Sequence, residues 1–477
     1  VYPSTIDDDV AYILADSECR AVFAEDDEQL AKLNAHKSEL PHLMKVITFE
    51  GSTDDDWVIS LAELERLGEE LLAEDPEVVE RRVAETKPDA LATLIYTSGT
   101  TGRPKGVRLR HSSWTYEGAA IQAQDILHED DLQFLWLPMA HSFGKVLLST
   151  QLACGFATAV DGRVEKIIDN LAVVKPTFMG AAPRIFEKAH GRIVTMQAAE
   201  GGLKEKIFNQ AFKVGLEVDR RKREGKPVPF LLAKQHALFD KLVFHKIRDR
   251  FGGRVRFFIS GAAALNQEIA EWFHAAGILI LEGYGLTETS AGSFVNHPDE
   301  YKFGSVGQVF PGSEVKLGDN DEIMIKGPGI MDGYHNLPEE THGALTDDGW
   351  LRTGDKGRVD EDGFLFITGR IKDVIKSGGE WISSIDMENL LMGHPAVRDA
   401  AVVGIPHAKW QERPLALVVL KPTASGLDTM VRTLVCPLLV SFSVSRKKVA
   451  AAAPTARTRK PTTGQSQGAL DLRLVSR

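Results

Sequence analysis

Short apolar runs alternate with longer amphipathic stretches over most of this 477-residue chain. Runs of this kind lie at residues 21–23, 44–48, 93–96, 134–137 and 256–259. Short apolar runs are typical of strands, and the amphipathic stretches between them are typical of helices. The alternation therefore predicts an α/β architecture, in a chain long enough for two or three hydrophobic cores.

The alternation changes along the chain, and these changes predict how it is divided. Between residues 204 and 251, apolar side chains recur at helical spacing and predict an insert of two helices joined at residues 225–229. Residues 307–369 are rich in glycine with brief strands, for example at 322–326, and predict a small β-subdomain. We expect three regions: a large N-terminal domain of stacked αβ layers with this β-subdomain at 1–369, a small, incomplete α+β domain at 370–421, and a basic, disordered tail at 422–477.

Charge and composition narrow the class of protein. The net charge is −11, but nine basic and two acidic residues follow Lys421, so the tail carries +7 and the rest −18. An acidic body argues against a nucleic acid partner, because phosphate backbones are held by clustered lysine and arginine. The three cysteines lie far apart and suit a reducing compartment. No apolar run approaches the roughly 20 residues of a membrane span, so we expect a cytoplasmic protein.

Residues 96–106 read YTSGTTGRPKG and form the sharpest chemical motif. Glycine lets backbone N–H groups approach phosphate oxygens closely, while hydroxyls add donors and lysine adds positive charge. The motif is not a Walker A loop, which ends in Gly-Lys-Ser/Thr where this chain has Pro104-Lys105-Gly106. It predicts a phosphate-binding loop made of Thr97, Ser98, Gly99, Thr100, Thr101, Gly102 and Lys105.

This loop and further segments in the same order resemble the adenylate-forming (ANL) superfamily of acyl-CoA synthetases, peptide-synthetase adenylation domains and luciferases. The further segments are LPMAHSFG at 137–144, FFISGAA at 257–263, LEGYGLTETS at 281–290, GWLRTGD at 349–355 and ITGRIKD at 367–373. The helical insert and the GYHNLPEETH segment are most similar to bacterial long-chain fatty-acyl-CoA synthetases. The resemblance implies a ligase that uses ATP, Mg²⁺ and CoA, with a fatty acid as the remaining small-molecule substrate.

The resemblance also implies the nucleotide contacts. Tyr284 would stack on adenine, and Glu288 would hold Mg²⁺, which prefers hard oxygen ligands. Asp355 would accept from both ribose hydroxyls, and Arg370 would reach a ribose hydroxyl or a phosphate. The other implied contacts are Gly261, Ala262, Ala263, Glu282, Gly283, Gly285 and Thr287.

Catalytic roles are implied for Lys105, Glu288, His141 and Lys376. His141 would lie near the acyl carboxylate, and Lys376 would lie on a loop that follows the hinge at Lys372 and serves the second half-reaction. Taken singly, several of these residues have plainer explanations: a solvated Glu288, a structural His141, or a turn-capping Asp355. The combination of motifs favours the functional interpretation.

The basic residues of the insert raise the possibility of peripheral contact with an anionic membrane. Acidic residues are interspersed among them, which favours a solvated helix face instead.

Both ends of the chain depart from the family pattern. The first residues resemble the middle of the large domain, so a first αβ portion is expected to be missing. After Pro422 we find no match to the family's Pro-Lys-Thr-x-x-Gly-Lys type motif, whose last lysine serves adenylation. The alternative is therefore a truncated or degenerate relative that binds nucleotide with little turnover. A luciferase-like oxygenase is disfavoured, because nothing here demands oxygen chemistry.

Overall fold

A computed structural model describes residues 1–54, 56–97, 103–372, 374–377, 380–392, 397–407, 410–420 and 471–474. The chain is mixed α/β and forms two compact units. The larger unit comprises Val1–Asp319, Ile323–Thr353 and Arg358–Phe366, and the smaller comprises Asn320–Glu322, Gly354–Gly357 and Ile367–Arg477. The predicted α/β class, with a large N-terminal and a small C-terminal domain, is confirmed.

The described α-helices follow in chain order. They are α1 (Asp7–Asp16), α2 (Asp27–Ala35), α3 (Leu61–Glu74), α4 (Val78–Glu85), α5 (His111–Gln122), α6 (Ser142–Cys154), α7 (Ile167–Val174), α8 (Pro183–Glu200), α9 (Gly202–Arg223), α10 (Phe230–Phe239), α11 (His245–Arg250), α12 (Gln267–Ala275), α13 (Pro338–Ala344) and α14 (Ser384–Met392). A π-helical turn at Asp240–Phe244 joins α10 to α11.

The described strands are named in the same way. They are β1 (Ala21–Ala24), β2 (Lys45–Thr48), β3 (Val58–Ser60), β4 (Leu91–Thr97), β5 (Lys105–Arg110), β6 (Leu132–Leu135), β7 (Ala157–Val160), β8 (Phe178–Ala181), β9 (Phe257–Ser260), β10 (Leu279–Tyr284), β11 (Phe294–Val295), β12 (Gln308–Val309), β13 (Glu314–Leu317), β14 (Glu322–Lys326), β15 (Gly333–Tyr334), β16 (Leu351–Val359), β17 (Leu365–Arg370), β18 (Val374–Ser377), β19 (Glu380–Ser383), β20 (Val397–His407), β21 (Gln411–Leu420) and β22 (Asp471–Leu474).

A seven-stranded sheet with order β12-β11-β10-β9-β8-β6-β7 forms the centre of the larger unit. Strands β7, β6, β8, β9 and β10 run parallel, so their carboxyl ends lie at one edge of the sheet. Three predicted motifs lie at the carboxyl ends of β6, β9 and β10. Ligands of open α/β sheets bind outside the carboxyl ends of strands, so this edge is the natural place for a site.

The larger unit also contains two three-stranded sheets that carry or contact predicted site residues. Strands β1, β2 and β3 form a parallel sheet, and β15, β5 and β4 form a second sheet in that order. Helix α1 precedes β1 and buries Val10, Ala11 and Leu14. The antiparallel β4–β5 hairpin carries the two ends of the predicted phosphate loop.

The helical insert has the predicted form, since α9 and α10 are joined by residues 224–229. Its inner face packs against α12, where the rings of Phe212 and Trp272 stack with centroids 4.2 Å apart. Arg220, Arg221 and Arg223 are all ion-paired with acidic side chains. Among the described residues, no helix is long and apolar enough to cross a membrane.

The smaller unit contains a sheet of order β19-β18-β21-β20, covered by α14. Ile375, Met387, Leu391, Val402 and Val418 contribute to its own hydrophobic core. The predicted disordered tail lies outside the described residues apart from β22, which pairs parallel with β21.

Candidate functional site

The β4–β5 hairpin places the ends of the phosphate loop opposite each other. Thr97 pairs with Lys105, and Tyr96 pairs with Gly106, in an antiparallel register. Ser98, Gly99, Thr100, Thr101 and Gly102 lie outside the described residues. Thr97 and Lys105 therefore stand at the two sides of the loop, and their contacts with phosphate stay predictions.

Glu288 lies in a short 3-10 turn, Thr287–Thr289, just beyond the carboxyl end of β10. The Tyr334 hydroxyl donates to Glu288 Oε1 at 2.8 Å, and Lys105 Nζ lies 5.2 Å from the centroid of the Tyr334 ring. An ammonium within about 6 Å of an aromatic face is attracted by its quadrupole. The structure thus joins Lys105 and Glu288, which were predicted separately, into one cluster through Tyr334.

Tyr334 was missed by the sequence analysis. It lies in the segment GPGIMDGYHNLPEETH, which extends the family resemblance but has no obvious catalytic group. Burial, and next the negative charge of Glu288, raise the pKa of the Tyr334 phenol. The hydroxyl therefore remains a donor to Glu288 throughout the physiological range.

The turn that carries Glu288 is closed tightly on itself. A Cβ added to Gly285 would lie 1.6 Å from the carbonyl oxygen of Ala291, so only glycine fits there. Ser290 and Ala291 have φ values of 60° and 95°. Tyr284 is half-buried and its ring contacts Phe294 at 6.1 Å between centroids. Its predicted contact with adenine stays a prediction, as do those of Gly283 and Gly285.

Glu282 points into the protein interior. Its Oε2 accepts from the backbone N–H of Leu265 at 3.2 Å, and its own carbonyl oxygen accepts from Asn296. Burial raises the pKa of this carboxyl to about 7. These contacts give Glu282 a structural role, and its predicted nucleotide contact stays a prediction.

The segments after β6 and β9 meet at the same sheet edge. The ring of Phe143 lies so close to Gly261 that a Cβ there would be 3.3 Å from its Cε1 atom. Ser142 Oγ lies 3.4 Å from Thr287 Oγ1, and both side chains are buried. Ala262 and Ala263 are exposed, and Ala262 has a φ of 69°.

His141 is the N-cap of α6, where its Nδ1 accepts from the backbone N–H of Phe143 at 3.2 Å. This bond places the proton of a neutral imidazole on Nε2. Much of the ring surface is exposed, but the surrounding protein partly desolvates it and lowers its pKa. His141 is therefore neutral at pH 7 and presents an Nε2–H donor.

The predicted ribose and hinge residues belong to the smaller unit. Arg370 Nε lies 3.2 Å from Asp355 Oδ1, and the Asp355 side chain is only 7% exposed. The two predicted ribose contacts are thus ion-paired with each other. Lys376 lies in β18, opposite Trp381 of β19, and nothing is described of its side chain.

The AMP-binding enzyme family matches residues 1–335, and the AMP-binding enzyme C-terminal domain matches residues 386–459. The chain belongs to the AMP-binding enzyme family. The predicted membership of the adenylate-forming superfamily is confirmed. The C-terminal match continues beyond residue 421, where the resemblance drawn from the motifs stops.

Several curated relatives of this family member are named long-chain-fatty-acid–CoA ligases. FadD15 of Mycobacterium bovis is 35% identical over 407 residues, which are 85% of this chain and 66% of the relative. ACSBG2 of Xenopus laevis is 32% identical over 412 residues, which are 82% of this chain and 55% of the relative. The chain thus spans a little under two thirds of the first relative and just over half of the second.

Two solved structures show the same fold. ATP-bound MatB from Rhodopseudomonas palustris matches with a TM-score of 0.66 and 22% identity, over 94% of this chain and 77% of that one. The anthranilate CoA ligase AuaEII in complex with anthranoyl-AMP also matches with a TM-score of 0.66 and 22% identity. This match covers 91% of this chain and 74% of that one.

Proposed function

We propose that this protein is an ATP-dependent long-chain fatty acid–CoA ligase, which forms an acyl-adenylate and then transfers the acyl group to CoA. The observation that carries the proposal is the cluster of Lys105, Tyr334 and Glu288 beside the predicted phosphate-binding loop. The names of the relatives support the reaction class and the long-chain substrate. The comparisons give no support to a nucleotide-binding relative with little turnover.

In the first half-reaction, a carboxylate oxygen of the fatty acid attacks the α-phosphorus of ATP. The new P–O bond forms as the bond between the α-phosphorus and the bridging oxygen breaks, and pyrophosphate leaves. Lys105 would neutralise phosphate charge, and positioning together with such charge stabilisation dominates catalysis of phosphoryl-type transfer. Tyr334 keeps the Lys105 ammonium beside the Glu288 carboxylate.

The residues present fit a Mg²⁺ ion that arrives with the nucleotide. Among the described residues, no group of three or more His, Cys, Asp or Glu side chains is arranged to hold a metal. Glu288 would then be a single protein carboxylate, with the other ligands supplied by phosphates and water, as is usual for Mg²⁺ in nucleotide sites. When bound, Mg²⁺ would supply further neutralisation of phosphate charge. The hydrogen bond from Tyr334 orients Glu288 for this task.

In the second half-reaction, the thiol of CoA attacks the acyl carbonyl carbon, and AMP leaves with the former carboxylate oxygen. Neutral His141 suits a hydrogen-bonding contact near the acyl carboxylate, since its Nε2–H is not engaged by the N-cap bond. Lys372 and Lys376 are the residues that we assign to the hinge and to the loop for this step.

The test is intact-mass product detection after incubation with ATP, Mg²⁺, CoA and a fatty acid pool of mixed chain lengths. We expect acyl-CoA products from the longer acids, and acyl-AMP when CoA is omitted. Lys105→Ala and Glu288→Ala should each lose most adenylation with unchanged thermal melts, because neither side chain belongs to a core. Normal turnover in either variant, or no thioester from the folded wild type at any chain length, would contradict the proposal.

A further inference from the structure

Helix α1 contacts the β4–β5 hairpin on both sides of the phosphate loop. Tyr12 and Asp16 lie one turn apart on this helix and therefore face the same way. Asp16 Oδ2 accepts from the Tyr96 hydroxyl at 2.6 Å, just before the loop. The Arg103 guanidinium, between Gly102 and Lys105 of the loop, lies 4.9 Å from the Tyr12 ring centroid. The Tyr12 and Tyr96 rings also meet edge to face at 6.4 Å.

Asp16 also reaches the opposite edge of the same three-stranded sheet. His335 Nε2 donates to the Asp16 carbonyl oxygen at 3.0 Å, and Asn336 Nδ2 donates to Oδ1 at 3.3 Å. Both residues directly follow β15, and the His335 backbone N–H bonds to the carbonyl of Gly106 at 2.7 Å. One aspartate therefore links the ends of the two outer strands, with Lys105 on the strand between them.

A glycine in the central strand makes this link possible. A Cβ added to Gly106 would lie 3.0 Å from Tyr96 Cζ and 3.2 Å from its hydroxyl oxygen. The Tyr96 ring therefore crosses directly over Gly106 to reach Asp16. Burial, followed by the bond to Asp16, raises the pKa of the Tyr96 phenol, so the hydroxyl stays protonated as a donor.

We infer that Asp16 is a positioning residue for the phosphate site, which holds Lys105, and through Tyr334 also Glu288, in the geometry needed for nucleotide binding. The inference rests on the proposed function. The contacts span 80 residues to Tyr96 and 319 residues to His335, so they are a property of the folded protein rather than of the motif. Partners that orient catalytic ligands in this way commonly change affinity or activity about 10- to 100-fold when they are removed.

The experiment compares Asp16→Ala, Tyr96→Phe, the double variant and a control, Asp7→Ala. Asp7 is an exposed acid in the first turn of the same helix, so its loss changes the helix charge without touching the hairpin. Two quantities are measured: ATP affinity by calorimetry with Mg²⁺, and the acylation rate of Lys105 by acetic anhydride without nucleotide, followed by peptide mass spectrometry. Steady-state kinetics give the KM for ATP and for fatty acid separately.

We expect Asp16→Ala to weaken ATP binding about 10- to 100-fold and to change the labelling rate of Lys105, while the KM for fatty acid stays the same. Tyr96→Phe should weaken ATP binding less than Asp16→Ala does. The double variant should bind ATP no more weakly than Asp16→Ala, because both substitutions remove the same hydrogen bond. The control should behave like the wild type in both measurements.

A lower melting temperature with unchanged ATP affinity and unchanged Lys105 labelling would show a merely structural Asp16 and overturn the inference. Fully additive losses in the double variant would overturn it as well. If Asp16→Ala does not fold, the same measurements on Tyr96→Phe decide the question, because this variant keeps the aromatic ring and loses only the hydroxyl that donates to Asp16. A wild type that forms no acyl-CoA, but whose Lys105 labelling changes on Asp16→Ala, would refute the proposed function and leave this inference standing.

Discussion

The Tyr334 side chain contacts both Glu288, through its hydroxyl, and Lys105, through its ring. Tyr334→Phe removes the bond to Glu288 but keeps the ring beneath Lys105. A hydrogen bond to a charged group is worth about 1.5 to 3 kcal/mol, so we expect at least a 10-fold rise in the Mg²⁺ concentration needed for ATP binding. Calorimetric Mg²⁺ titrations at fixed ATP measure this shift.

The matched control for Tyr334→Phe is Tyr116→Phe. The Tyr116 hydroxyl is also hydrogen-bonded within the protein, to Ser313 Oγ at 2.7 Å. This variant should lose comparable stability but keep the Mg²⁺ dependence of the wild type. Equal Mg²⁺ titrations for the two variants would show that Tyr334 does not act through Glu288.

Glu282 makes the stability of the protein depend on pH. Its pKa is about 7 in the folded protein, against 4.5 without the fold. Between these values the folded state keeps a proton that the unfolded state has lost, so the free energy of unfolding falls as pH rises through this window. The protonated Glu282 carboxyl thus contributes on the order of 3 kcal/mol to the free energy of unfolding. This contribution is fully present below pH 4.5 and is lost above the pKa of the folded state.

Glu282→Gln tests this dependence, because a glutamine stays neutral at every pH. Urea unfolding at about pH 4.5 and pH 8 measures the free energy of unfolding of both proteins. From the lower to the higher pH, the wild-type value should fall by on the order of 3 kcal/mol more than the value of the variant. The titrations of other groups cancel in this difference. Parallel pH profiles for the two proteins would mean that the Glu282 carboxyl is not buried as described.

Among the elements, the turn after β10 depends most on one backbone position. Gly285→Ala would force the carbonyl of Ala291 to move, since the added Cβ lies 1.6 Å from it. We expect a loss of about 1 to 3 kcal/mol or more, together with weaker ATP binding, because the same turn carries Glu288. Chemical unfolding and ATP calorimetry measure the two effects.

A glycine in helix α3 provides the opposite case. A Cβ at Gly68 meets no atom within 4 Å, so Gly68→Ala should stabilise the protein by about 0.5 to 1 kcal/mol. ATP affinity should not change. A destabilised Gly68→Ala, or a Gly285→Ala variant as stable as the wild type, would contradict the local geometry of the element concerned.

For the whole molecule, the two half-reactions are expected to depend on residues of different units. Lys105 and Glu288 belong to the larger unit, and Lys376, which we assign to the second half-reaction, belongs to the smaller unit. Losing one charged group that acts in a reaction step typically costs about 10²- to 10³-fold in the rate of that step. We therefore expect Lys376→Ala to slow CoA thioester formation from preformed acyl-AMP by a factor of that order, while acyl-AMP formation from ATP and fatty acid keeps the wild-type rate. Rapid-quench assays compare the two steps, and equal losses in both would refute the expectation.

Local patterns in the sequence determined the α/β class and the two-helix insert, and the resemblance of several motifs gave the superfamily. These features are set by hydrophobic periodicity and by residue types at short spacing, which a linear sequence displays directly. Lys105 was proposed from the residue types of its own motif, and Glu288 from the resemblance of its segment to the superfamily; both roles remain predictions. The nucleotide contacts of Tyr284, Asp355 and Arg370 remain predictions.

Tertiary structure alone decided which residues support one another. Tyr334 reaches Glu288 across 46 residues, Ser142 meets Thr287 across 145, and Asp16 meets Tyr96 across 80. The ion pair between Asp355 and Arg370 belongs to the same class of contact. Such contacts depend on how strands pair and helices pack, because the partner of each side chain comes from a distant part of the sequence. No short-range pattern therefore encodes them.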